Sequence, residues 1–162
     1  MSADRHGVTR RIAAPASAIF KIVADPAGHV AIDGSGMLET APDARPLTEV
    51  GQTFDMAMDR TPLADIPGLV KYSVRNIVTQ LVPDRLVEWT VGLADGTTVD
   101  HVYGWQLEPV GDHETDVTNY CDWTNISPEM RAKRSWPVVP LAMLEASVVK
   151  LDHLATGSAK PA

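Results

Sequence analysis

The stretch SPEMRAKRSWPVVPLAMLEASVVKLDHLATG, residues 127–157, decides the fold because it contains the longest helical pattern in the chain. Pro137 and Pro140 interrupt that pattern, so the helix is predicted to begin near Val138 or Pro140. Gly157 stands where a left-handed C-terminal cap is expected. A helix of about 18 residues is about 27 Å long, enough to cross a small sheet. Its apolar residues recur at three- and four-residue steps, typical of a helix with one buried side: Leu141, Leu144, Val148, Leu151 and Ala155.

Residues 53–123, before this helix, alternate apolar and polar side chains with a period of two. Such alternation predicts antiparallel strands with one covered face and one wetter face. Turn residues at 83–85, 95–96 and 111–113 separate the segments and predict hairpins. The segment 70–82 is longer than an average strand and loses its parity after Asn76, which predicts a bulge there. The opposite parity predicts outward positions for Asp55, Asp59, Glu88, Asp100, Tyr120 and Asp122.

The N-terminal part predicts one strand followed by two short helices. Pro15 suits the first position of a helix, and Asp25-Pro26 ends that helix. A second short helix is predicted through AGHVAI, residues 27–32, ending at the glycines. The complete order is one strand, two short helices, about six further strands and one long helix. A twisted sheet of that length curls, and only the C-terminal helix is long enough to cover its concave face. The fold class is therefore α+β.

Composition limits the classes of function. The chain has 162 residues, of which 44% are hydrophobic and 22% charged, as expected for one folded domain, here residues 1–157 with a flexible tail at 158–162. A formal charge of −7 argues against a nucleic-acid partner. The sequence contains no run of about 18 apolar residues, which a membrane span would need, and the N-terminus lacks a secretory signal. We therefore expect a cytoplasmic protein, in which the single Cys121 is a buried, unreactive thiol.

The order of elements resembles the START-like helix-grip superfamily, in particular the polyketide cyclase/dehydrase and lipid-transport (SRPBCC) group. The resemblance covers nearly the whole chain and rests on RRIAAPASAIFKIVADPAGH (10–29), DGSGML (33–38), YGWQLEPVGDHETDVTNYCDWT (103–124) and the terminal helix. It implies a curved sheet wrapped around the helix, with a hydrophobic cavity between them. Members bind, transport or rearrange lipids, aromatic polyketides and hormones. The group has no universal catalytic motif, so the resemblance transfers no catalytic residue.

The loop Asp33-Gly34-Ser35-Gly36 follows a helix and precedes a strand. A phosphate-binding loop needs the reverse order, so we do not expect a nucleotide there. Gly34 and Gly36 are predicted to adopt positive φ angles, and Asp33 to hydrogen-bond the loop backbone. The loop either only turns the chain or lies at the mouth of the cavity.

The inward-facing stripe predicts the cavity wall. Aromatic and methionine side chains offer flat, polarizable surface for an apolar ligand, although each one alone also suits an ordinary core. The predicted ligand contacts are Phe54, Met56, Met58, Tyr72, Trp89, His101, Tyr103, Trp105, Asn119, Leu144 and Val148.

His101 and Tyr103 share one face of one strand, and Asn119 is expected from the neighbouring strand. A cyclase or dehydratase needs a proton acceptor and a proton donor, so His101 and Tyr103 are candidate catalytic residues, with Asn119 holding an oxygen. The alternative is that the three bond to one another, to water or to a ligand. The five histidines have no metal-ligand spacing, so no metal and no cofactor are predicted.

Three functions follow from these patterns. The preferred one is a non-enzymatic module that binds or carries a small hydrophobic molecule such as a polyketide, fatty acid or isoprenoid. The second is a metal-free cyclase or dehydratase, which a perturbed pKa of His101 in a deep pocket would favour. The third is an interaction protein whose cavity is vestigial and whose partner is another chain. A contiguous exposed apolar patch and a homodimer in solution would favour it. Trp136, between two helical segments, is assigned either to the cavity cover or to such a contact.

Overall fold

Seven strands form one antiparallel sheet in the order β1-β7-β6-β5-β4-β3-β2 in the structure, a computed structural model in which residues 4–157 are described. The strands are β1 (Arg5–Ile12), β2 (Leu38–Thr40), β3 (Thr53–Asp59), β4 (Lys71–Val82), β5 (Leu86–Gly92), β6 (Thr98–Gly111) and β7 (Glu114–Asp122). The helices are α1 (Ala16–Val23), α2 (Pro26–Ile32), α3 (Pro128–Lys133) and α4 (Leu141–Thr156). The predicted α+β helix-grip fold is confirmed.

Helix α4 packs against β1 and β7 and against the two N-terminal helices. Its side chains Leu144, Val148 and Leu151 are buried. The last two belong to the core that Leu107 and Val117 form on the concave face of the sheet. The three- and four-residue spacing therefore predicted the side of the helix that faces the sheet, except at Leu141, which is 43% exposed at the start of the helix.

Side-chain caps and a left-handed glycine mark the ends of three helices, and one predicted helix start is shifted. The Ser127 hydroxyl accepts a hydrogen bond from the Met130 N–H (3.1 Å), and the Asp25 carboxylate accepts one from the Ala27 N–H (2.9 Å). Gly157 adopts a left-handed conformation (φ 67°) that ends α4. Pro15 lies one residue outside α1, at the N-cap, and not at the first helical position as predicted.

The sheet differs from the prediction in the position of its bulge. The register between β4 and β5 shifts between Val78 and Gln80, two to four residues beyond Asn76. Asn76 keeps its inward parity and is buried. Asn76 therefore interrupts the apolar alternation only because its side chain is polar, and that side chain still points inward.

The convex face of the sheet carries a second difference. Tyr120 and Glu88 point away from α4 as predicted, but both are buried. Tyr120 lies across Gly104 of the neighbouring strand, where an added Cβ would be 2.3 Å from the Tyr120 Cζ. The Tyr120 hydroxyl donates to Glu88, and the Arg5 guanidinium stacks 3.9 Å from the ring centre. The outward direction predicted for Tyr120 and Glu88 is correct, but the wetter surroundings expected on that face are not found, because neighbouring side chains cover both residues.

The predicted tail at residues 158–162 lies outside the described residues, and the assignment of residues 1–157 to one domain stays a prediction. No helix within residues 4–157 is long and apolar enough to cross a membrane.

Candidate functional site

A cavity of about 340 Å³ lies between the concave face of the sheet and the segment that leads into α4. Its wall comes from α2 and the loop after it, from β3 to β7, and from residues 130–147. Most of the wall is apolar. Five of the six methionines in the chain line it: Met37, Met56, Met58, Met130 and Met143.

The structure brings nine of the eleven predicted contact residues to this cavity. They are Met56, Met58, Tyr72, Trp89, His101, Tyr103, Trp105, Asn119 and Leu144. Phe54 and Val148 do not line it. Both are buried in the core, where Phe54 packs edge-on against His29 and Trp89 with ring centres 5.5 and 5.9 Å apart. Period-two alternation tells inward from outward, but it does not tell which inward side chains leave space beside them.

His29 on α2 lines the cavity, although the sequence analysis did not select it. Its ring stacks on Trp89, with centres 4.5 Å apart, and its Nε2 donates to the Val23 carbonyl at 2.6 Å. Burial lowers the pKa of His29 to about 4, so the imidazole is neutral at pH 7. Helical spacing alone places it on the same side as Pro26 and Ile32, and that was the available signal.

Arg60 is the second residue that sequence reasoning missed. It follows β3 directly, is only 8% exposed and lines the cavity. Its guanidinium makes two bonds to the Asp65 carboxylate (2.7 and 2.9 Å) and one to the Tyr72 hydroxyl (3.0 Å). In the sequence, Arg60 and Asp65 stand in a polar loop and are indistinguishable from solvated charges.

His101 projects from β6 into the cavity and is 5% exposed. Desolvation, and secondly the positive charge of Arg60, lowers the pKa of His101 to about 4. Its ring meets those of Tyr103 and Trp136 edge-on, each with centres 5.2 Å apart. Its Nδ1 is buried without a hydrogen-bond partner.

Tyr103 and Asn119 also reach the cavity. Tyr103 stands opposite Cys121 in the β6–β7 register. Burial raises the pKa of Tyr103 well above its ordinary value and raises the pKa of Cys121 to about 12. The Asn119 amide donates to the Gly104 carbonyl at 3.0 Å. Cys121 is fully buried and protonated, as predicted for an unreactive thiol.

The glycine loop contributes Asp33 and Ser35 to the cavity wall. The Asp33 carboxylate accepts from the N–H groups of Ser35 (2.9 Å) and Leu38 (3.1 Å), as predicted. Gly36 has a positive φ of 75°, but Gly34 does not, so that part of the prediction was wrong. Gly34 is instead pressed against α4, where an added Cβ would lie 2.4 Å from the Ser147 backbone nitrogen.

Trp136 belongs to the cavity cover, one of the two places proposed for it from the sequence. It lines the cavity and its indole N–H donates to the Met130 carbonyl at 3.2 Å. Within the described part of the chain, no three histidine, cysteine or carboxylate side chains are grouped to hold a metal ion.

Comparison with known proteins finds relatives in sequence and solved structures with the same fold. No family model matches the chain. It is 30% identical over 154 residues to the uncharacterised protein Rv0088 of Mycobacterium tuberculosis, an alignment that covers 91% of this chain. The chain spans 63% of the length of that relative.

Two solved structures show the same architecture at low identity. Protein Ms6760 from Mycobacterium smegmatis has a TM-score of 0.65 and 16% identity, covering 96% of this chain and 93% of that one. Norcoclaurine synthase from Thalictrum flavum has a TM-score of 0.59 and 17% identity, covering 93% and 91%. At these identities the likeness establishes the fold.

Proposed function

We propose that this chain binds a small hydrophobic molecule in the cavity between the sheet and α4. The observation that carries the proposal is the composition of the cavity wall, which contains both methionine thioethers and the rings of Trp89, Trp105 and Trp136. A space of about 340 Å³ lies at the lower end of the range for small-molecule sites. Polyketide, lipid and isoprenoid ligands are candidates, and transport is a role that such binding would serve.

The pKa of His101 is perturbed, as the enzymatic alternative requires, but the downward direction of the shift favours binding over catalysis. General acid–base catalysis is most efficient when the catalytic pKa lies near the working pH. At pH 7 His101, with a pKa of about 4, is a weak base, and Tyr103, with its pKa raised, is a weak acid. Neither is matched to proton transfer at neutral pH, but both suit a desolvated binding wall.

A cyclase- or dehydratase-type enzyme is the second candidate, and the buried Nδ1 of His101 favours it. A neutral imidazole nitrogen without a partner is free to accept a proton from a bound substrate. A solved structure of norcoclaurine synthase contains dopamine and hydroxybenzaldehyde, two aromatic molecules held by a protein of this fold. The interaction module with a vestigial cavity, the homodimer, the cytoplasmic location and the START-like affiliation stay predictions from the sequence.

The proposal is tested by native mass spectrometry of the protein purified from its own host, followed by solvent extraction and identification of the released compound. We expect an apolar adduct that is lost on denaturation. The variant Val91→Trp, which places an indole inside the cavity, is expected to lose the adduct while keeping its circular dichroism spectrum. Equal adduct on both proteins, or none on the wild type, would contradict binding in this cavity.

The variants His101→Ala and Tyr103→Phe, assayed with the compound so identified, distinguish catalysis from binding alone. Catalysis predicts that the wild type converts the compound and that His101→Ala binds it without conversion. Binding alone predicts recovery of the unchanged compound from the wild type.

A further inference from the structure

The strongest charge in the cavity wall is already neutralised. Arg60 is buried, and its two hydrogen bonds to Asp65 offset its positive charge. Arg134 also reaches the cavity, but its side chain is exposed, so solvent screens it. The buried part of the wall thus offers no uncompensated cation to a negatively charged ligand.

Two buried polar atoms in the same wall have no partner. They are Oδ1 of Asn76 on β4 and Nδ1 of His101 on β6, and each residue is 5% exposed. Leaving a buried polar group unpaired destabilises a protein by about 1–3 kcal/mol, so native interiors pair almost all of them. Both residues line the cavity, so the two unpaired atoms belong to the wall that a ligand would contact.

The chemistry of these atoms restricts the ligand. An amide oxygen only accepts hydrogen bonds, and a neutral imidazole nitrogen accepts in one tautomer. A carboxylate also only accepts, so it cannot pair with the Asn76 oxygen. A hydroxyl group donates, and it enters an apolar cavity at a much smaller desolvation cost than a charge.

Building on the proposed function, we propose that the ligand class is a neutral hydroxyl-bearing hydrophobic molecule, a phenol or an alcohol, anchored through Asn76 and His101. A hydroxyl donates to the Asn76 oxygen or to the His101 nitrogen, and the apolar body packs against the methionines and tryptophans. Fatty acids and other carboxylates are excluded from the preferred class.

Isothermal titration calorimetry with three matched compounds tests this on the wild-type protein: 2-naphthol, 2-naphthoate and 2-methylnaphthalene. We expect 2-naphthol to bind about 3- to 10-fold more tightly than 2-methylnaphthalene, the gain from one additional hydrogen bond. We expect 2-naphthoate to bind at least tenfold more weakly than 2-naphthol.

The outcomes separate this inference from the proposed function. If 2-methylnaphthalene binds as tightly as 2-naphthol, or 2-naphthoate binds most tightly, the hydroxyl preference is wrong while hydrophobic binding stands. If none of the three binds, the proposed function fails and the inference fails with it.

The variants Asn76→Leu and His101→Phe assign the anchor. Each substitution removes a polar atom and keeps a similar side-chain volume. In at least one of the two variants we expect 2-naphthol and 2-methylnaphthalene to bind with nearly equal affinity. Asn125→Leu, the same chemical change at an exposed position that does not line the cavity, is the matched control and keeps the preference. Retention of the full preference in both cavity variants overturns the assignment of these anchors.

Discussion

At pH 7 the two cavity histidines, His29 and His101, are neutral because burial lowers the pKa of each to about 4. Their pKa in the unfolded chain is about 6.5, so the unfolded state binds protons more readily than the folded state. The contribution of these groups to the free energy of unfolding is therefore fully present above pH 6.5, and it is lost as the pH falls towards 4. For one such histidine, the difference between the two pKa values corresponds to about 3 kcal/mol in the free energy of unfolding.

We expect the free energy of unfolding, measured in urea at several pH values, to fall between pH 6.5 and pH 4. His29→Gln removes one of the two titrating groups and should flatten that slope. His113→Gln, a change in the exposed turn between β6 and β7, is the control and should leave it unchanged. An equal slope in wild type and His29→Gln contradicts the lowered pKa.

The Tyr120 hydroxyl is one of two partners of the buried Glu88 carboxylate, which also accepts from the Thr79 hydroxyl at 2.8 Å. Tyr120→Phe leaves one carboxylate oxygen buried with one donor fewer. We expect the free energy of unfolding to fall by about 1–3 kcal/mol. A double-mutant cycle with Glu88→Gln measures the pair, and additive effects of the two substitutions would refute the coupling.

Residue-level prediction from the sequence succeeded where a side chain's direction decides the outcome. Strand parity assigned Met56, Trp89, His101 and Asn119 to the inner face because successive side chains point to opposite faces. Strand parity did not identify Arg60, because the burial of Arg60 depends on its contacts with Asp65 in a loop and with Tyr72 on β4. Polar sequence patterns do not report such partners.

Among the elements, the α2–β2 loop and α4 make a close backbone approach beside the site. An added Cβ at Gly34 would lie 2.4 Å from the Ser147 nitrogen and 2.6 Å from the Met143 carbonyl oxygen. The Gly34 N–H also donates to the Ser147 hydroxyl at 2.8 Å. The glycine holds the loop against the helix that covers the cavity.

Gly34→Ala should therefore force the loop and α4 apart and lower the free energy of unfolding by about 1–3 kcal/mol, in the range of overpacked cores. Gly111→Ala, which meets no atom within 4 Å and has no positive φ, is the matched control and should change stability by less than about 0.5 kcal/mol. Urea denaturation of the two variants makes the comparison. Similar stabilities would show that the loop adjusts freely.

The elements themselves were largely predictable from the sequence. The start of α4, predicted near Val138 or Pro140, lies one to three residues before the observed Leu141, and Gly157 follows its observed end. The hairpin turns fell where Asp and Gly occur. The role of Gly34 was not predictable, because a glycine needed for close approach and a glycine needed for positive φ look alike in a sequence. The contact that distinguishes them is 113 residues away along the chain.

For the molecule as a whole, the order of elements predicted the helix-grip architecture, because only one helix is long enough to cover a seven-stranded sheet. The cavity volume was not predictable, since it depends on which inward side chains meet and which leave a gap. Phe54 and Val148 fill the core, whereas Trp89 and Tyr103 border open space. The ligand hypothesis therefore depends on the three-dimensional arrangement as much as on composition.

A ligand that binds only the folded state also stabilises it. At a free concentration of 100 times its Kd, 2-naphthol should raise the free energy of unfolding by about 2.7 kcal/mol. The Val91→Trp variant, with its cavity filled, should show no such gain in a urea titration. A gain of equal size in the variant would place the binding site elsewhere.

The most direct measurement uses the methionines, since five of the six line the cavity. With ¹³C-methyl-methionine labelling, saturating 2-naphthol should shift the methyl signals of Met56 and Met58 through its ring current and give nuclear Overhauser effects to both. If both methyl signals stay in place and show no such effects while calorimetry reports saturation, the ligand does not occupy the space between the sheet and α4.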